Sequence, residues 1–209
     1  MNIPWQNLKA DIHRTYELQS GSKVKRWLYT LKAPGVHAVM VYRYGQWVAS
    51  KPIAIRIFLT PIYLVLNRRI QKIWGIQLPR AAQIGPGLYI GHFGQIIVSD
   101  ESIIGCHCSL GHCTTIGNSG DRIGRTVPII GDDVFIATGA KLFGNITIGN
   151  NVKIGANAVI HKSIPDNAVV AMSPGFTIIS YKGNRHRNRL NKEELSGDVI
   201  VNLDMIAKS

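Results

Sequence analysis

The stretch Ile130-Gly131-Asp132-Asp133-Val134-Phe135-Ile136-Ala137-Thr138-Gly139-Ala140-Lys141-Leu142 decides the fold, and its beat continues through Ile148 and Ile154 to Ile160. An aliphatic residue recurs at every sixth position, and a second compact side chain follows four residues later at Val134, Ala140, Ile146, Val152 and Ala158. A period of six fits neither the alternation of a strand nor the 3.6 of a helix. It is the period of a parallel β-helix, in which each six-residue unit makes one short strand and a turn and three units close a coil. The aliphatic residue fills the interior, and small residues such as Gly131, Ala137, Gly149 and Gly155 allow the corner. Upstream the same beat is read at Ile84, Ile90 and Ile96, and again at Ile104, Leu110 and Ile116.

Two breaks interrupt it. Two extra residues are expected between Ile96 and Ile104, and eight between Ile116 and Ile130. The longer insert is polar and reads as a loop thrown out from one corner, where repeat scaffolds usually carry binding residues.

With 209 residues and 45% apolar content, the chain fits one main domain with smaller attachments. The expected division is a basic helical domain over 1–78, the repeat over 79–176 and a basic tail over 177–209. Cys106, Cys108 and Cys113 lie close together and no signal peptide is read, which points to a reducing cytoplasm rather than a disulfide framework. The charge is lopsided: Leu18 to Ser99 holds no Asp or Glu but eleven Lys and Arg. Such a half-chain suits polyanions, among them anionic lipid and phosphate-bearing cofactors, or is simply a solvated basic surface. No recognisable nucleic-acid-binding module is present.

Helices are expected over 4–19, over 23–32 and from Pro34 through Ser50, with Pro34 at a first helical position. An apolar run from Ile53 to Leu66 follows, interrupted by Arg56 and Pro61. It falls short of the roughly 20 apolar residues of a spanning helix. It therefore packs on its own prism or a neighbouring subunit, or lies in a membrane interface among anionic head groups.

Three units per coil return every fourth rung to the same wall. Ile90, Leu110, Ile136 and Ile154 then share a wall, and the residues two further on form a column: His92, His112, Thr138 and Ala156. Adjacent members should be separated by the roughly 4.8 Å spacing of neighbouring strands. His92 sits in Ile90-Gly91-His92-Phe93-Gly94, where the glycines permit close approach of a ligand or another chain. A neutral imidazole can take a proton from a hydroxyl and return it to a leaving group. His112 is read as a partner of His92, an acceptor contact or an exposed rung residue. No metal site is expected, because Cys108 occupies an inward position while Cys106 and Cys113 point from different columns.

Gly35-Val36-His37-Ala38-Val39-Met40-Val41-Tyr42-Arg43, Ile84 through Val98, Gly120-Asp121-Arg122 and Gly139-Ala140-Lys141-Leu142-Phe143-Gly144-Asn145 together resemble the hexapeptide-repeat acyltransferases, in their serine acetyltransferase-like branch. The resemblance covers roughly residues 32–175. It implies a left-handed β-helix preceded by a small helical domain, a homotrimer with active sites between subunits, and acetyl-coenzyme A as donor. By the same resemblance His92 corresponds to the general base; His112, its neighbour in the column, is the second catalytic candidate on the stacking argument alone. Asp121 and Arg122 correspond to acceptor-binding residues. Thr138, Gly139 and Ala156 lie on the coenzyme A path, with Asn118 and Lys162 as further cofactor contacts, and a backbone N–H of a neighbouring rung is the expected oxyanion donor.

The departures from the family pattern shape the expected acceptor. The aspartate fifteen residues before the base is here Gln77, the one immediately before it is Gly91, and the histidine after the Gly-Asp-Arg motif has no counterpart. An amino-acid acceptor carries an ammonium that wants a carboxylate. The expectation is accordingly an O-acetyltransferase acting on a sugar hydroxyl of a capsular, exopolysaccharide or lipid-linked glycan precursor. Serine O-acetyltransfer and a non-catalytic trimeric scaffold are the alternatives. The expected location is cytoplasmic, with peripheral contact at the inner face of an anionic membrane as a further reading.

Overall fold

A computed structural model describes residues 4–118, 120 and 126–172. The repeat forms a left-handed parallel β-helix, and four helices pack on its first coils. The first wall holds β1 (Ile76–Gln77), β4 (Ile96–Val98), β7 (Thr115–Gly117), β10 (Lys141–Phe143) and β13 (Val159–Ile160). The second holds β2 (Gln83–Ile84), β5 (Ile103–Ile104), β8 (Ile129–Ile130) and β11 (Thr147–Ile148). The third holds β3 (Tyr89–Ile90), β6 (Ser109–Leu110), β9 (Phe135–Ile136), β12 (Lys153–Ile154) and β14 (Val169–Val170).

Register on the third wall pairs Ile90 with Leu110, Leu110 with Ile136, and Ile136 with Ile154, as the six-residue count requires. These side chains are buried inside the prism, and so are the compact residues at Val134, Ala140, Val152 and Ala158. Each buried Ile or Leu contributes about 1.5–3 kcal/mol relative to exposure, so the interior ladder is the main source of the prism's stability.

One part of the expected register is wrong. Val98, not Ile96, stands opposite Ile116 on the first wall, and Ile96 pairs with Ile76. The rung from Ile90 to Val98 is therefore eight residues long, and the next, to Ile104, is six. The two extra residues lie in the corner that carries His92, not between Ile96 and Ile104. Ile96 fills the compact inward position that Val134 or Ala140 fills elsewhere, and both Ile96 and Val98 are fully buried. Two inward aliphatics two residues apart made either register fit the pattern.

The helices are α1 (Pro4–Glu17), α2 (Lys23–Lys32), α3 (Pro34–Ala49) and α4 (Ile53–Trp74). Ser22 caps α2 by accepting from the Lys25 N–H at 3.4 Å, and Pro34 opens α3. Central α3 is buried on most sides, at Gly35, Val36, Ala38, Val39, Tyr42 and Arg43 among others. The run expected to end at Leu66 continues as one helix to Trp74, passing through Pro61 and stopping at Gly75 in the left-handed conformation (φ 64°). Pro61 removes one backbone donor from the helix interior. Only Tyr63 and Ile70 of α4 are buried, so its apolar half does not pack on its own prism. Among the described residues, no helix is long and apolar enough to cross a membrane.

Helices and coils share one core, joined by a polar lock. The Arg43 guanidinium, wholly buried, donates to Asp11 (Nε to Oδ2, 2.8 Å) and to the carbonyls of Ile84 (2.8 Å) and Gly85 (2.7 Å). Asp11 Oδ1 in turn accepts from the Leu88 N–H at 2.8 Å. Burial pushes the Asp11 carboxyl above its ordinary value, while Arg43 and the Leu88 N–H pull it back. Tyr42 donates to the Ala82 carbonyl at 2.7 Å, and Arg14 donates to the carbonyls of Gly87 and Cys108 and to Ser109 Oγ. Apart from the Arg43–Asp11 pair within the helical layer, every partner lies on a turn or strand of the first coils, which fixes that layer to the part of the prism that leads into His92.

Candidate active site

The corner after the third wall gathers the predicted column. The rings of His92 and His112 lie 6.0 Å apart, edge to face at 87°. Thr138 Oγ1 sits 3.0 Å from His112 Nδ1, which orients the second imidazole from the rung above. Ala156 is exposed one rung further on, so the column runs from two imidazoles through a hydroxyl to a methyl group. His92 is exposed and His112 half-buried.

The enlarged corner is clamped at both ends. The Gly94 N–H donates to the Trp74 carbonyl, and the Ile96 N–H to the Gly75 carbonyl, both at 2.9 Å. From the rung above, the Cys113 N–H donates to the Gly94 carbonyl at 2.8 Å. At the other end, the α3 backbone at Gly35 presses on Ile90 so closely that a Cβ there would overlap the Ile90 carbonyl oxygen. His92 thus hangs on a five-residue bend held by the helical layer. Gly35→Ala should cost about 1–3 kcal/mol of stability in denaturant unfolding, because backbone rather than a flexible side chain must move. It should also lower turnover, since Ile90 is two residues from His92; full stability and activity would contradict the clamp.

The expected oxyanion donor is less simply met. The Gly139 N–H is spent on the His112 carbonyl and the Asn157 N–H on the Thr138 carbonyl, both at 2.9 Å, and the Cys113 N–H on Gly94. Stacking the coils engages these three corner donors.

The predicted cofactor residues fall on two edges. Thr138, Gly139 and Ala156 line the histidine edge, between the third and first walls. Asn118 and Lys162 follow Ile116 and Ile160 by two residues, and the register of β7, β10 and β13 places them on the opposite edge of the first wall. Asp121 and Arg122 lie outside the described residues. Cys108 is fully buried and its thiol is pushed up to about 11 by burial, which keeps it a neutral interior side chain. Among the described residues, no three His, Cys, Asp or Glu side chains converge as a metal site would require.

The sequence reading missed the polar lock of Asp11, Arg14 and Arg43 and the contacts of Trp74. The signal available was an Asp and an Arg on one face of α1, three residues apart, and a lone Arg in the otherwise apolar α3.

Comparison with known proteins bears on what this corner does. Residues 128–162 match the family model described as bacterial transferase hexapeptide (six repeats). The chain is 35% identical over 207 residues to a serine acetyltransferase of Staphylococcus xylosus, covering 97% of this chain and 90% of that one. It is 32% identical to a serine acetyltransferase of Helicobacter pylori, over 73% of this chain and 86% of the relative. Among solved structures, serine acetyltransferase from Brucella abortus in complex with coenzyme A superposes with a TM-score of 0.69 at 30% identity, over 83% of this chain and 67% of that one. An Entamoeba histolytica serine acetyltransferase in complex with cysteine gives 0.68 at 27% identity; this chain spans 62% of its length.

These relatives overturn the sugar-hydroxyl acceptor expected from the sequence and favour serine instead. The expectation counted carboxylates missing near His92, at Gln77 and Gly91. That count cannot fix the acceptor, because the insert still carries Asp121 and Arg122. The same relatives argue against a non-catalytic scaffold.

Proposed function

The chain belongs to the serine acetyltransferase family, and from that premise we propose that it transfers the acetyl group of acetyl-coenzyme A to the hydroxyl of serine, with His92 as general base. The observation that carries this reading is the single column of His92, His112, Thr138 and Ala156 on one edge of the prism. His92 takes the hydroxyl proton as the serine oxygen attacks the thioester carbonyl carbon. The tetrahedral intermediate collapses, the C–S bond breaks, and the proton passes from the imidazole to the departing thiolate. O-acetylserine and free coenzyme A result, with no acyl-enzyme. His112, held by Thr138, lines the acceptor side. Asp121 and Arg122 are assigned to the ammonium and carboxylate of the amino acid, since each suits the opposite charge.

The pantetheine arm runs along Thr138, Gly139 and Ala156, where the side chains are small enough for an extended ligand to lie against backbone. Asn118 and Lys162, on the other edge of the first wall, reach the cofactor of a neighbouring copy. A homotrimer packed edge against edge is the assembly that joins these two half-sites. The first wall and its corner support it by presenting Phe93, Ile97 and Val159 to the exterior.

The test is release of thiol from acetyl-coenzyme A, followed with and without L-serine, with the product identified by mass spectrometry. Serine-dependent release and O-acetylserine are expected. Release no faster with serine than without it would overturn the assignment.

A further inference from the structure

The outer half of α4 carries a run of uncovered apolar side chains. Ile53, Ile57, Phe58, Ile62 and Val65 are each more than half exposed, Phe58 by 78%. At 100° per residue, Phe58 and Val65 fall opposite Tyr63 and Ile70, the helix's buried contacts, and Ile62 lies on the flank beside them. Tyr63 rests on Gly45 of α3, so the helix is held from one side only. Further along the helix the outward side turns basic, at exposed Arg68, Arg69 and Lys72. A helix apolar on its outward side and basic beyond it needs a surface that offers both hydrocarbon and negative charge.

We propose that α4 docks on an anionic lipid surface, lying along the interface with its apolar half down and Arg68, Arg69 and Lys72 among the head groups. Charge selects this occupant over a second copy of the chain. From Leu18 to Ser99 there is no carboxylate, so pairing two such faces would bring Lys51, Arg56 and Arg68 against their counterparts with no acid from this region to neutralise them. Anionic head groups supply the missing charge. Length selects the interface over a span: the apolar stretch from Ile53 to Leu66 is about 21 Å long. The hydrocarbon core is about 30 Å thick.

The experiment is co-sedimentation of the full chain with vesicles of phosphatidylcholine alone, or of phosphatidylcholine mixed with phosphatidylglycerol, at low and high salt. Binding is expected on the mixed vesicles only and should weaken with salt. Phe58→Glu/Ile62→Glu should abolish it while leaving thiol release and the sedimentation mass unchanged. Arg68→Gln should weaken it roughly fivefold, the worth of one basic residue at such a surface. The wild-type comparison needs no variant, so misfolding of the double substitution leaves the test intact. No binding to either vesicle, equal binding to both, or a double variant that keeps its thiol release but changes its sedimentation mass would each overturn the proposal.

Discussion

His92→Ala is expected to lower serine-dependent thiol release by about 10²–10⁴-fold, the usual worth of a positioned general base. The loss should fall on turnover with little change in the KM for acetyl-coenzyme A, because His92 sits below the stretch assigned to the cofactor. Folding should be unaffected. The imidazole is exposed, and the bend that carries it is held by the backbone bonds at Gly94, Ile96 and Cys113 rather than by its ring. Thermal unfolding of the variant separates the two effects. An unchanged midpoint with lost turnover supports the base role, whereas unchanged turnover removes it. His112→Ala, whose ring is tied to Thr138, should cost less.

The largest stability effect is expected at Arg43. Arg43→Met leaves the Asp11 carboxyl buried without its cation and the Ile84 and Gly85 carbonyls without their donors. Breaking one side of a buried pair costs about 3–5 kcal/mol. For a chain of this size that lowers the unfolding midpoint by roughly 6–20 °C. Arg43→Lys should rescue little, since one ammonium cannot reach the carboxylate and both carbonyls as the planar fork does. Adding Asp11→Asn to Arg43→Met should recover part of the loss, because it removes the uncompensated charge; additive losses in the double variant would show that the two side chains are not coupled. Calorimetry on the wild type, the two Arg43 variants, Asp11→Asn and the double variant reads both outcomes.

The prism was legible because its determinant is local and periodic. An inward aliphatic every sixth residue and a compact one four further on leave one arrangement, and His92 and His112 follow from it by counting. The count failed where two inward aliphatics, Ile96 and Val98, both fitted, and it misplaced an insert that enlarges the corner at His92. The split of Asn118 and Lys162 from Thr138 and Ala156 follows from the same register, but only once each rung is assigned to a wall. The lock of Asp11, Arg14 and Arg43 was not legible, since its partners are backbone carbonyls some forty to ninety residues away, and nothing in a sequence marks a carbonyl as awaiting a donor. The acceptor was read wrongly for a related reason: carboxylates missing at Gln77 and Gly91 say nothing of those the chain carries elsewhere, Asp121 among them.

The central claim is that one edge of the prism both holds coenzyme A and presents the base. A crystal structure of the chain with coenzyme A bound tests it most directly. The pantetheine should run along Thr138, Gly139 and Ala156 with the thiol within hydrogen-bond reach of the His92 imidazole. A cofactor seated on another edge, or a thiol remote from His92, would contradict it.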